Sequence, residues 1–127
     1  MRSTILPLAT ALLVFAAPAG AQVTSDNFLL RTTGDLVLLC GVSRDDPNAA
    51  AAMHFCEGYF VGLDHFAEVT GRPFRGTLFC PPENPGLTRD QVAGMVVAWH
   101  RKNPQYASER PFDGVARWAA ATWPCKK

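Results

Sequence analysis

Four cysteines, Cys40, Cys56, Cys80 and Cys125, constrain this 127-residue chain more than any other feature. What precedes them sets the compartment. The chain opens with one basic residue, Arg2, followed by an apolar run from Ile5 to Ala17 broken by Pro7 and Thr10. Ala19-Gly20-Ala21 then supplies the small-residue exit that signal peptidase accepts. Such a run is too short for a hydrocarbon core, which needs roughly 20 residues. It reads as a removable leader, residues 1–21, rather than an anchor. Cleavage after Ala21 is expected to leave Gln22 first in an exported protein, where disulfides persist.

Residues 22–127 are enough for one domain with a modest core, small enough that covalent staples matter. The leader carries one of the 12 basic residues, so the mature chain balances its 11 acidic ones. No basic stripe remains for nucleic acid, and no basic amphipathic face suggests a membrane surface after processing. An even cysteine count in a short exported chain argues for disulfides, and four cysteines allow three connectivities. The close C-x-x-C pairs of a structural metal site are missing, so neither a metal nor another cofactor is expected.

Periodicity predicts helices throughout. The clearest runs from about Pro47 to Thr70, with Gly71 ending it. Ala52, Phe55, Tyr59, Gly62, Leu63 and Phe66 share one side and are expected to face inward, while Glu57, Asp64 and Glu68 line the solvated side. Gly58 and Gly62 lower helix propensity, which suggests that a neighbouring helix approaches closely there. Thr88 and Gln91 form a T-x-x-Q capping box that opens a second helix, and Asn103-Pro104 stops it. A third runs from Ser108 or Glu109 to Trp123, with Phe112, Val115, Ala116, Ala119 and Trp123 expected inward. A shorter helix spans Asp35 to Cys40, capped by Thr33 or Asp35, or starts nearer Ser25. No stretch alternates with period two. The fold class is all-α: a small four-helix, disulfide-stapled single domain, with the Pro- and Gly-rich stretch Gly71–Leu87 pinned by Cys80.

Catalytic chemistry finds no footing. Oxidised cysteines are not nucleophiles. His54, His65 and His100 are scattered and read as surface or boundary residues. Ser3, Ser25, Ser43 and Ser108 lack a nucleophile-elbow setting. The chain is not expected to be an enzyme.

One ordered set of residues goes further. Asp35-Leu36 with Leu39-Cys40 is followed by Cys56-Glu57-Gly58-Tyr59, with Gly62 after it. Then come Phe79-Cys80-Pro81-Pro82, a helix containing Val96-Val97 and ending at Asn103-Pro104, and a closing Trp123-Pro124-Cys125. From Thr33 to Cys125 this resembles the Rap/Tai family of immunity proteins of type VI secretion. The resemblance implies a disulfide-bonded, all-helical periplasmic protein, often a homodimer. Such a protein binds a peptidoglycan amidase toxin and blocks its active-site groove through a loop between late helices. The matching segment here is Asn103–Pro111, which marks Asn103, Gln105, Tyr106, Ser108, Glu109 and Arg110 as partner-binding residues. Tyr106 is the kind of aromatic anchor enriched at interface hot spots, and Pro104 and Pro111 restrict the ends of an exposed insert. The alternatives are a periplasmic structural or ligand-binding domain and an acid-stress chaperone; two staples oppose the conditional unfolding a chaperone needs.

The helix order also bears on connectivity. A short turn after Cys40 leads into the helix carrying Cys56, and the last two helices form a hairpin that returns Cys125 toward Cys80. Cys40–Cys56 and Cys80–Cys125 are therefore expected.

Overall fold

Threonine side chains start two of the four helices. The computed structural model describes residues 21–70 and 78–126 and places α1 at Thr33–Cys40, α2 at Ala49–Val69, α3 at Arg89–Lys102 and α4 at Pro111–Thr122. No strand occurs among the described residues. The leader up to Gly20, and Gly71 with the first part of the Pro/Gly-rich stretch, lie outside them. The Thr88 hydroxyl accepts the Gln91 amide hydrogen, and the Gln91 side chain accepts that of Thr88, as the T-x-x-Q spacing predicts. For α1 the cap is Thr32, not Thr33 or Asp35. Asp35 instead accepts hydrogen bonds from the Thr32 amide and hydroxyl and from the Asn27 side chain. Burial alone would raise the Asp35 carboxyl, but these bonds outweigh it and hold its pKa below the usual value. The stretch nearer Ser25 is a separate 3-10 turn, Ser25–Leu29.

Short, apolar α1 is the central element. Leu36 and Leu39 are fully buried and point into two adjoining clusters. The larger cluster joins Leu36 to Cys56, Val96, Val97, Val115 and Trp118; the smaller joins Leu39 to Val23 and Ala52. Val23 is the first buried residue among those described. Its amide donates to Asp46 Oδ2 at 2.9 Å, and its carbonyl accepts from Asn48 Nδ2 at 2.9 Å.

Both expected disulfides are present. Cys40–Cys56 ties the end of α1 to α2, and Cys80–Cys125 ties the segment before α3 to the tail after α4. Beside the second bridge, the Cys80 amide donates to the Trp123 carbonyl at 2.8 Å. The bridges thus close both ends of the helical array.

The structure corrects the sequence reading of two helix faces. On α2, Ala52 is buried, but Phe55 is 36% and Phe66 53% exposed, and no neighbour among the described residues approaches Gly58 or Gly62. Periodicity identifies residues that share a face; it does not supply a partner for the whole face, and the elements packed on α2 cover only part of it. Phe55 meets the Phe28 ring edge-on at 5.6 Å, outside the main core. On α4, Gly114 and Trp118 are buried while Phe112, Ala116 and Trp123 are half-buried, because α4 presents Gly114 to Thr33 of α1. α4 also begins at Pro111 rather than Ser108, since Pro104–Tyr106 forms a 3-10 turn of its own.

Glycine substitutions separate the two situations. A Cβ at Gly114 would lie 2.3 Å from Thr33 Oγ1, so Gly114→Ala should lower stability by about 1–3 kcal/mol through overpacking. Gly58→Ala meets open space and should raise stability by about 0.5–1 kcal/mol through helix propensity. Urea denaturation of dilute protein checks both signs. Removing the Cys40–Cys56 bridge by a double alanine substitution should lower stability by about 3 kcal/mol, as expected for a loop of that length; the same titration reads it.

Candidate partner-binding surface

The segment between α3 and α4 is built onto the first turn of α1. A helix leaves its first amide hydrogens without intrahelical partners. Here the Thr33 amide donates to the Glu109 carbonyl at 2.7 Å, and the Gly34 amide donates to the Ala107 carbonyl at 2.8 Å. The Thr33 hydroxyl stands 3.1 Å from the Glu109 carbonyl and 3.0 Å from that of Arg110. Thr33 is fully buried while doing this. The loop carbonyls therefore take the place that water or a capping group would otherwise fill. Gly34 leaves room for that approach, since a Cβ there would sit 3.3 Å from the Ala107 oxygen.

A second set of contacts holds the loop from its other side. Tyr106 stacks on Trp99 of α3, with ring centroids 5.7 Å apart and planes within 7°. The Arg117 guanidinium from α4 lies 4.6 Å from the Tyr106 ring centroid, and its Nε donates to Glu109 Oε2 at 2.6 Å. Asn103 Nδ2 donates to the Trp99 carbonyl at 2.8 Å, and Arg110 pairs with Asp113 at 2.8 Å. Under the loop, His100 Nε2 donates to the Gly114 carbonyl at 3.1 Å. Residues 100 and 114 bracket the whole loop, so this bond closes its neck.

These contacts divide the six residues marked from sequence. Gln105, Ser108 and Arg110 are exposed, with the Arg110 guanidinium paired to Asp113. Asn103, Tyr106 and Glu109 are half-buried and hold the loop's shape. The expectation of a wholly exposed insert with Tyr106 as its free anchor is corrected, because Trp99 and Arg117 already engage the ring. His100 is corrected too: it is 5% exposed, not a surface or boundary residue. Thr33, Trp99 and Arg117 were missed as loop-forming residues. Only Thr33 had a signal, its place in the first turn after a capping threonine. Arg117 reaches Glu109 through tertiary structure, for which local sequence carries no pattern.

The rest of the surface offers less defined chemistry. An apolar groove of about 420 Å³ lies between α2, the Phe79–Leu87 segment, α3 and α4, lined by Phe60, Phe66, Phe79, Pro82, Phe112 and Trp123 among others. No cluster of His, Cys, Asp or Glu suited to a metal occurs among the described residues. None of the described helices is long and apolar enough to cross a membrane.

With the loop and its supports defined, family comparison becomes informative. The family model of Rap1a immunity proteins matches residues 32–125, from the Thr32 cap of α1 to the last cysteine. The chain belongs to the Rap1a immunity protein family. No curated protein and no solved structure matches it. The match spans both disulfides, all four helices and the loop, but leaves out the Ser25–Leu29 turn. Membership supports a protein partner, a secreted effector, and an inhibitory rather than catalytic role.

The supports predict a measurable effect. Thr33→Val keeps the shape but removes the hydroxyl that faces two carbonyls, and should lower stability by about 1–3 kcal/mol. Amide exchange should show the faster opening concentrated at Ala107–Arg110.

Proposed function

We propose that this chain is a periplasmic immunity protein of type VI secretion that occupies the active-site groove of a peptidoglycan amidase with Asn103–Pro111. The observation that carries this reading is the loop's construction. Its carbonyls are fixed on α1, its aromatic ring is fixed between α3 and α4, and its exposed Gln105, Ser108 and Arg110 side chains are left outward. A segment ordered before binding loses less freedom on entering a groove, so more of its contact energy appears as affinity. Inhibition then needs no reactive group on the inhibitor. Export through the leader and oxidation of both cysteine pairs fit action in the periplasm, where such an amidase would meet peptidoglycan.

The test is inhibition of a peptidoglycan amidase encoded beside this gene. Replacing Gln105, Ser108 and Arg110 together by Ala should leave the circular dichroism spectrum unchanged. It should weaken binding by about 2 kcal/mol or more if the set includes a hot spot. Replacing Tyr106 and Glu109 should act differently, reducing both loop order and inhibition. Unchanged inhibition by the triple variant would move the contact elsewhere, to the Glu57, Asp64 and Glu68 side of α2. Failure to bind any neighbouring amidase would remove the amidase reading.

The same reading includes a homodimer, and α2 supplies its surface. Ala51, Phe55, Gly58, Gly62, Phe66 and Val69 are exposed along one side of the helix. Their order is nearly palindromic about Phe60: Ala51 would meet Val69, Phe55 would meet Phe66, and the glycines would meet each other. A two-fold antiparallel contact requires such self-complementarity. Sedimentation velocity should show a dimer that Phe66→Arg converts to a monomer; a monomeric wild type would exclude it.

A further inference from the structure

One buried group remains unused by the inhibitory reading. His100 closes the neck of the loop, with Nε2 donating to the Gly114 carbonyl. That bond fixes the neutral tautomer, leaving Nδ1 as an acceptor. Nδ1 is buried and has no hydrogen-bond partner. A polar atom buried without a partner is rare and calls for an explanation. Protonation would leave Nε2 a donor but place a second N–H, and a full charge, where no acceptor stands, so the charged ring is satisfied only when the neck opens to water.

The surroundings do not compensate. From α4 the ring meets the uncharged Gly114 carbonyl. From the loop, Glu109 favours the imidazolium by its field, but its carboxylate is already engaged by Arg117. The basic neighbours on α3, Arg101 and Lys102, are exposed and of the wrong sign. On α1 the titratable side chain, Asp35, is bound by Thr32 and Asn27. Besides burial, the groups that act on His100 are the Gly114 carbonyl and Glu109, and neither lies on α2. Trp99 packs its ring edge-on against the imidazole at 4.8 Å and carries Tyr106 on its face. Movement of His100 therefore reaches the loop directly.

We propose that His100 is an acid-sensitive latch: its protonation opens the His100–Gly114 neck and releases Asn103–Arg110 from α1, so that the partner-binding loop is ordered at neutral pH and loosened in acid. Burial pushes the imidazole below its ordinary range, and the Gly114 bond and Glu109 oppose this without overcoming it. The latch then contributes its full stability above the unfolded pKa of about 6.5 and loses it as pH falls through the lower folded value. A compartment open to external protons would place this range within physiological reach.

The test needs no partner and so stands apart from the amidase reading. Amide exchange of the whole mature chain is followed at about pH 7.5 and about pH 5, a range that brackets histidine titration, with rates divided by their intrinsic values. The amides of Thr33, Gly34, Ala107 and Glu109 should open several-fold more at the lower pH. Amides in the middle of α2 should not change. His100→Gln keeps a donor for Gly114 but does not titrate, and it should abolish the difference. A pH difference that survives in His100→Gln, or that appears equally in α2, would overturn the latch. The imidazole shift in the wild type gives an independent reading that does not depend on the variant folding. A His100 pKa at or above the ordinary histidine value of about 6.5 would also overturn it.

Discussion

The loop depends on one contact, the first turn of α1 donating its free amides to the backbone of the α3–α4 connection. Helix starts ordinarily satisfy these groups with a side chain or water. Thr32 caps its own helix and accepts the Asp35 amide, so Thr33 and Gly34 are left to serve the loop. The arrangement joins residues more than 70 positions apart. It also explains why α1, a helix of eight residues, sits at the centre of the core. Leu36, Leu39 and the Cys40 bridge hold the helix, and the helix holds the loop.

A rigid support and a reactive site make different demands on a chain. Binding an effector requires a surface of defined shape and a fold stable enough to hold it. Both bridges contribute to the second demand by restricting the unfolded chain. The loop's stacking, cation–π and carbonyl contacts contribute to the first. Half of the marked loop residues thus face inward as supports, and half face outward into solvent.

Much of this architecture was legible in the residues. Thr88 and Gln91 announce α3 because a capping box is local, and Asn103-Pro104 ends it because proline restricts its predecessor. The disulfide pairing followed from helix order alone. Non-local features were not legible. The α2 periodicity groups Phe55 and Phe66 with Ala52, yet only the packed helices decide where that face stops being covered. The Thr33–Glu109 contact joins elements distant in sequence, the Arg117–Glu109 and His100–Gly114 contacts join different elements without a local motif, and scattered histidines gave no hint that one would be buried. The resemblance carried in the cysteine framework located the loop; its inner and outer residues had to come from geometry.

Backbone nitrogen relaxation across Gln105–Arg110 in the unbound protein at neutral pH tests the central claim most directly. A loop prebuilt on α1 should give order parameters near the rigid-backbone value of about 0.85, matching those of α3. Values below about 0.6 across the segment would show a flexible insert, and would contradict the account.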